Sequence, residues 1–148
     1  MDIKGEQFIP IPRQQVWAAL NDTEVLKQAI PGCDAMNRLS DTEIEATVTA
    51  KVGPVKATFK GQVTLSDLDP PNGYSIRGEG KGGVAGFAKG GAKVRLVDAP
   101  GGTTLHYDVD AAVGGKLAQI GARLIEGTAR KLADEFFASF TRIASGQQ

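Results

Sequence analysis

Residues 78 to 83 read Gly-Glu-Gly-Lys-Gly-Gly, the G-x-G-x-x-G spacing with which a strand hands a dinucleotide's pyrophosphate to the start of a helix. That chemistry needs a helix directly after the glycines, because its free N–H groups and its dipole must meet the anion. The following stretch, Val84 to Val97, contains Gly86, Gly90 and Gly91, each costing a helix about 1 kcal/mol relative to alanine. From Gly90 onward small or apolar residues alternate with Gly91, Lys93 and Arg95, the pattern of a strand. Asp98 stands roughly where a ribose-binding acid is expected, but it belongs to the turn Asp98-Ala99-Pro100-Gly101-Gly102. A nucleotide site is therefore not expected, and the glycines need another use.

The other reactive side chains are few. His106 is the single histidine and falls on the polar phase of its strand, so as a general base it would need a cavity opening onto the wrong face. Cys33, the single cysteine, follows Pro31-Gly32 with no histidine in phase with it, and reads as a small buried thiol rather than a nucleophile. Asp108 and Asp110 lie two apart on one strand face, as paired carboxylates would, but a lone strand without a third ligand reads as solvated charge. No catalytic residue and no metal ligand set is expected.

The elements that carry these residues follow from periodicity. Ile3 to Ile9 can form an opening strand that stops at Pro10-Ile11-Pro12, and Pro12 suits the first turn of a helix bearing Val16, Trp17 and Leu20. Asn21 with Glu24 has the form of a capping box for a second short helix with Val25, Leu26, Ala29 and Ile30, ended by Pro31-Gly32. From Asp34 the period is two for about 80 residues. Ile44 to Val52 and Val55 to Leu65 alternate around Gly53-Pro54; Tyr74 to Gly80, Ala92 to Leu96 and Thr103 to Val113 continue the meander, giving about six to seven antiparallel strands with one polar face. From Gly115 to Ala144 the period returns to helical, and Leu117, Ile120, Gly121, Leu124, Ile125, Thr128, Leu132, Phe136, Phe140 and Ile143 form one apolar stripe. One α+β domain over 1–144 is expected, a curved sheet gripping a helix of about 40 Å, with a short polar tail over 145–148.

Seventeen basic residues balance seventeen acidic ones, so no overall field favours nucleic acid or an anionic surface. No basic and apolar leader and no run of about 18 apolar residues is present. A cytoplasmic protein is expected. A sheet that curls more than its helix fills leaves an apolar cavity, the usual setting for small-molecule binding. Gly78, Gly80, Gly86, Gly90 and Gly91 would let strands bend, while Gly61 and Gly121 would remove volume from the face toward the cavity. The same glycines also fit close packing with no void.

Several blocks in order, "VWAALND" and "AIPGCD", "GPVKATFKGQVTL", "YSIRGEGKGGVAGFAKGGAKVRL", "VGGKLAQIGARLI" and "LADEFFASF", resemble the family of the carbon monoxide dehydrogenase G subunit (CoxG), within the START-like, polyketide-cyclase-related (SRPBCC) superfamily. The likeness runs from about Ile3 to Phe140. It implies the helix-grip fold, a protein accompanying molybdenum hydroxylases, and a role in maturing that enzyme or coupling it to the membrane. Relatives with a C-terminal extension are thought to reach the membrane through it; this chain lacks one, so at most a transient contact at the inner face is expected. In helix-grip proteins the N-terminal half of the long helix forms the inner wall of the cavity.

The candidate ligand-binding residues are then Phe59, Val63, Tyr74, Ile76, Val94, Leu96, Tyr107 and Val109 on the inward phase of the sheet, with Leu117, Ile120, Gly121, Leu124 and Ile125 on the helix. Tyr74 and Tyr107 stand out because a buried phenol needs a hydrogen-bond partner that a ligand oxygen could supply. Phe87, at the tip of the glycine hairpin, is a candidate gate, with a plain turn residue as the alternative. Three readings remain open: a non-enzymatic carrier of a quinone or lipid-like molecule with no tightly bound cofactor, an assembly factor docking on the hydroxylase or its maturation factors with an incidental cavity, and, by fold analogy alone, a cyclase- or hydratase-like enzyme. Monomer and homodimer are both open.

Overall fold

Alternation of apolar and polar residues pairs β3 (Glu43–Val52) with β4 (Val55–Asp69) about the Gly53-Pro54 turn, Ile44 lying opposite Val63 and Val48 opposite Phe59. β5 (Gly73–Lys81), β6 (Phe87–Ala99) and β7 (Gly102–Gly114) continue the meander. β2 (Cys33–Arg38) adds to one edge beside β3, and β1 (Asp2–Ile9) adds to the other beside β7, from Asp2 opposite Asp110 to Ile9 opposite Thr103. The result is a seven-stranded antiparallel sheet in the order β1-β7-β6-β5-β4-β3-β2. The computed structural model describes residues 1–146; Gln147 and Gln148, half of the polar tail, lie outside the described residues.

The glycine run resolves as a hairpin. Gly78 and Gly80 sit within β5, one 3₁₀ turn spans Gly83–Ala85, and the chain re-enters the sheet at Phe87, earlier than the expected Gly90. No α-helix follows the glycines, so the phosphate geometry is not formed. Gly86 has φ +108°, where an added Cβ would stand 2.0 Å from the Gly114 carbonyl oxygen; only glycine permits this return.

Between β1 and β2 lie α1 (Arg13–Leu20) and α2 (Thr23–Ala29). The cap of α2 is Asp22, whose side chain accepts from the N–H groups of Glu24 at 2.9 Å and Val25 at 3.4 Å. The expected cap, Asn21, instead closes α1 by donating to the Trp17 carbonyl at 2.9 Å. Both residue types cap well, and the charged one takes the position nearer the N-terminal dipole.

The C-terminal segment is not one continuous helix. A single turn, α3 (Lys116–Gln119), is separated from α4 (Ala122–Ala144) by Ile120 and by Gly121 at φ +104°. α4 itself is about 35 Å long at 1.5 Å per residue. Its C-terminal half holds the core: Phe140 is fully buried with Ile9, Val16 and Leu105, and Phe137, outside the expected stripe, is buried as well. The hydroxyl of buried Thr103 donates to the Ile11 carbonyl at 2.8 Å, tying β7 to the chain entering α1. Arg13 fixes that corner further, donating to Asn72 and lying 3.4 Å from Asp98.

Candidate functional site

Cross-strand register sorts the inward residues into rows, and the rows change character along the sheet. Nearest the α1 corner lie mostly large side chains: Leu96 with Leu105, then Tyr74, Val94 and Tyr107, then Leu65, Ile76 and Val109, with the small Ala92 between the last two. The next row is Ile44, Val63, Gly78, Gly90 and Ala111, and the one after it Ala46, Gly61, Gly80, Ala88 and Val113. Small residues on two successive rows make a trough across the middle of the concave face. At Gly90 an added Cβ would meet the Asp110 carbonyl oxygen at 2.1 Å, so glycine lets β6 press close to β7 where the sheet curls.

Helix α4 does not fill this trough with backbone. Its nearest approaches are to α2, and then to α1, β1 and β3 at the sides of the sheet, rather than to the central strands. A cleft of about 480 Å³ opens between its first turns and β7, lined by Met1, Asp2, Ala111, Ala112, Val113, Ala122, Ile125 and Glu126. Two hollows of similar size, about 550 and 500 Å³, lie on the convex face among Asp67, Ser75, Lys93 and Asp108. Both are lined by charged side chains, Asp67, Lys93 and Asp108 among them, whereas the two trough rows carry none, so the concave trough is the better candidate for an apolar ligand.

The expected binding residues divide accordingly. Phe59, Val63, Ile76, Val94, Tyr107 and Val109 are half-buried on the concave side. Tyr74 and Leu96 belong to the dry core, the Tyr74 ring standing edge-on to Trp17 at 5.2 Å. Leu117 and Ile125 are buried and Ile120 half-buried. Leu124 is 46% exposed and leans over the β3–β4 turn, where a Cβ on Gly53 would come 2.7 Å from its Cδ2. Gly121 is the exposed residue before α4, with nothing within 4 Å of an added Cβ, and so removes no volume from the trough. Phe87 lies on the convex side with its ring over Gly114, and the exposed tip of the hairpin is Val84. The small-residue rows were not recognised from sequence, although aligning the strands turn to turn would have brought Gly61, Gly80 and Ala88 side by side.

Tyr107 marks the boundary between core and trough. Its ring stacks on Phe137 at 5.3 Å and its hydroxyl reaches over Gly5, where a Cβ would meet it at 2.4 Å. Among the described residues no side-chain hydrogen bond involves either tyrosine. Burial pushes the Tyr74 phenol from its ordinary value of 10.0 up to about 12, against a smaller downward pull from Arg38. The folded protein therefore holds this proton more tightly than the unfolded chain. Its contribution to stability is complete below pH 10.0 and is lost as the pH rises toward 12. An alkaline titration of phenolate absorbance is expected to show one late transition that Tyr74→Phe removes; its persistence in the variant would assign it elsewhere.

The remaining reactive groups sit away from the trough. His106 is on the convex face, 3.5 Å from Glu6. Asp108 pairs with Lys4 at 3.7 Å, and Asp110 with Arg77 at 3.7 Å across the bare backbone of Gly91. Cys33 is half-buried, its thiol directed at the Ala35 carbonyl at 3.4 Å and its pKa raised chiefly by desolvation. Among the described residues no group of three or more His, Cys, Asp or Glu is placed to hold a metal ion, and no helix is long and apolar enough to cross a membrane.

Solved structures of this shape are numerous. A conserved protein from Geobacillus kaustophilus superposes with a TM-score of 0.92 at 27% identity, over 98% of this chain and 95% of its own. The Zhui aromatase/cyclase from Streptomyces gives 0.71 at 12% identity, over 100% and 99%. A protein from Thermus thermophilus gives 0.70 at 12%, over 97% of both chains. The last two show the fold alone, the helix-grip fold of the polyketide-cyclase-related proteins. No curated protein sequence matches the chain. The sequence profile of the carbon monoxide dehydrogenase G subunit (CoxG) matches residues 5–145, nearly the entire chain and every element that builds the trough, and the protein belongs to the CoxG family.

Proposed function

We propose that the protein carries an apolar molecule, a quinone or a lipid, between the concave sheet face and α4. It serves a molybdenum hydroxylase of the carbon monoxide dehydrogenase type, in maturation or in coupling to the membrane, without catalysing a reaction itself. The observation that carries this reading is the pair of small-residue rows, Val63-Gly78-Gly90-Ala111 and Gly61-Gly80-Ala88-Val113, beneath a helix that approaches the sheet mainly at its sides. The neighbouring cleft of about 480 Å³ falls within the usual range of small-molecule sites, about 300–1,000 Å³. Phe59, Val63, Ile76 and Val109 supply apolar walls, and the Tyr107 hydroxyl supplies a polar group for a quinone or headgroup oxygen. The ligand is exchangeable cargo rather than a resident cofactor.

The test is native mass spectrometry of protein purified gently from its own cells, followed by organic extraction. A stoichiometric quinone or lipid is expected. Failure of the delipidated protein to bind any quinone or phospholipid saturably would overturn the carrier reading. Association with the hydroxylase that survives filling of the trough would then support the assembly-factor reading.

A further inference from the structure

The two edges of the sheet are unlike. β2 is six residues long, shifts register between Cys33 and Ala35, and packs beside α2, features that blunt an edge against further pairing. β1 is eight residues long, contains no proline, and runs beside β7 from Asp2 to Ile9 without a bulge. Its other side pairs with no strand. The ladder determines which groups that open side presents. The Met1 nitrogen donates to the Ala111 carbonyl at 3.0 Å, and the Ala111 N–H donates to the Met1 carbonyl at 2.9 Å. Bonded and unbonded pairs alternate along an antiparallel ladder, so Ile3, Gly5, Gln7 and Ile9 also direct their N–H and C=O groups at β7. Those of Asp2, Lys4, Glu6 and Phe8 point away from it, toward the open edge. The side chains of the same four residues are exposed on the convex face, Phe8 at 51%.

A second copy of the chain complements this edge. Two-fold pairing of β1 with β1 must set outward-directed groups against outward-directed groups, so the axis passes through one residue of each strand. An axis at Lys4 opposes Lys4 to itself and Asp2 to Glu6, and an axis at Glu6 opposes Glu6 to itself; like charges directly opposed destabilise a sheet. An axis at Ile3 matches Asp2 with Lys4 but leaves Glu6 and Phe8 unpaired, and one at Gln7 uses neither Asp2 nor Lys4. An axis at Gly5 keeps Asp2 to Phe8 paired and sets Lys4 opposite Glu6 of the second copy, twice by symmetry. Within the chain Lys4 lies 3.7 Å from Asp108, and Glu6 lies 3.5 Å from His106. The new pairs therefore join Asp108 and Lys4 of one copy to Glu6 and His106 of the other in a single row, alternating in sign throughout when His106 is protonated. Asp2, with Asp110 opposite it in the sheet and Glu126 in the cleft beside it, meets Phe8 of the second copy rather than a carboxylate. The Lys4 stem of that copy lies diagonally within reach of the Phe8 ring.

We propose that the protein forms a homodimer by pairing the β1 edges of two copies about Gly5, making one continuous antiparallel sheet. Such a contact is isologous: it occupies both open edges and leaves only the blunted β2 edges outside, so growth stops at two. The dimer is independent of the carrier reading and needs no cargo.

Sedimentation equilibrium of the full chain over a range of concentrations is the experiment, and a reversible monomer–dimer equilibrium is expected. Lys4→Glu and Glu6→Lys are each expected to weaken dimerisation about tenfold, because each makes both interchain pairs repulsive. An equal mixture of the two variants is expected to dimerise nearly as well as wild type, since a Lys4→Glu chain against a Glu6→Lys chain regains opposite charges at both positions. Circular dichroism of each variant alone checks that its monomer is folded. Amide hydrogen exchange of the unaltered protein gives a second reading: the N–H groups of Lys4, Glu6 and Phe8 are expected to exchange more slowly as concentration rises. A chain that stays monomeric, dimers indifferent to the charge reversals, or exchange at these three amides that ignores concentration would each overturn the proposal. A mixture of folded variants no better than its components would do the same, in favour of another register or another face.

Discussion

Replacing Phe140 by alanine is expected to lower the unfolding free energy by about 3–5 kcal/mol, measured by urea denaturation. The ring is fully buried, stacks on Phe136 with centroids 5.6 Å apart, and belongs to the same cluster as Ile9, Val16 and Leu105. Elements from both ends of the chain meet there, so the void cannot close by moving one loop. A loss of this size is a large part of the roughly 5–15 kcal/mol that holds most domains together. Phe59→Ala should cost less, because that side chain is only half-buried on the trough side. A loss below about 1 kcal/mol at Phe140 would mean that this half of the molecule is loosely packed, contrary to the division between dry core and open trough.

Gly80→Leu is expected to weaken binding of the apolar cargo by about tenfold or more while leaving the fold intact. Gly80 lies in the middle of the second small-residue row, between Gly61 and Ala88. A Cβ there meets only the Phe59 Cβ, at 3.7 Å, which is ordinary contact. A leucine would therefore occupy space that the cargo needs without striking backbone. Titration with a quinone and a denaturation curve on the same sample read both quantities. If the trough were already filled by side chains, the extra methylenes would instead cost about 1–3 kcal/mol and binding would not change. That outcome would remove the physical basis of the carrier reading.

Much of this architecture was legible because strand alternation is local. Ile44 to Val52 and Val55 to Leu65 declare their faces residue by residue, and Gly53-Pro54 fixes the turn between them. The helix break was not legible, because Leu117, Ile120, Leu124 and Ile125 keep helical spacing straight through Gly121; the positive φ that interrupts them is a backbone property with no side-chain signature. The hairpin tip was displaced from Val84 to Phe87 for a related reason, since a run of glycines leaves strand register weakly specified. The site was visible only in part. Inward phase placed Val63, Ile76 and Val109 on the concave face of the sheet, but could not separate Tyr74 and Leu96, which lie in the dry core, from Tyr107 at the trough's border. That distinction depends on where α4 approaches the sheet, and so on contacts between distant parts of the chain.

The pairing of β1 with β7, from Asp2 opposite Asp110 to Ile9 opposite Thr103, bears on the order in which the molecule can be assembled during synthesis. Strands β2 to β7 each neighbour the next in sequence, so their hairpins involve short loops and can close as they leave the ribosome. The first strand made has its only partner about a hundred residues later, and its edge-to-edge bonds, together with the Thr103 tie to Ile11, must wait for the seventh. Until then a nascent chain exposes both an unpaired strand and the apolar faces of α1 and α2. Birth order and folding order are thus reversed at the N-terminus, and the interval between them is when this small protein depends most on protection from its neighbours.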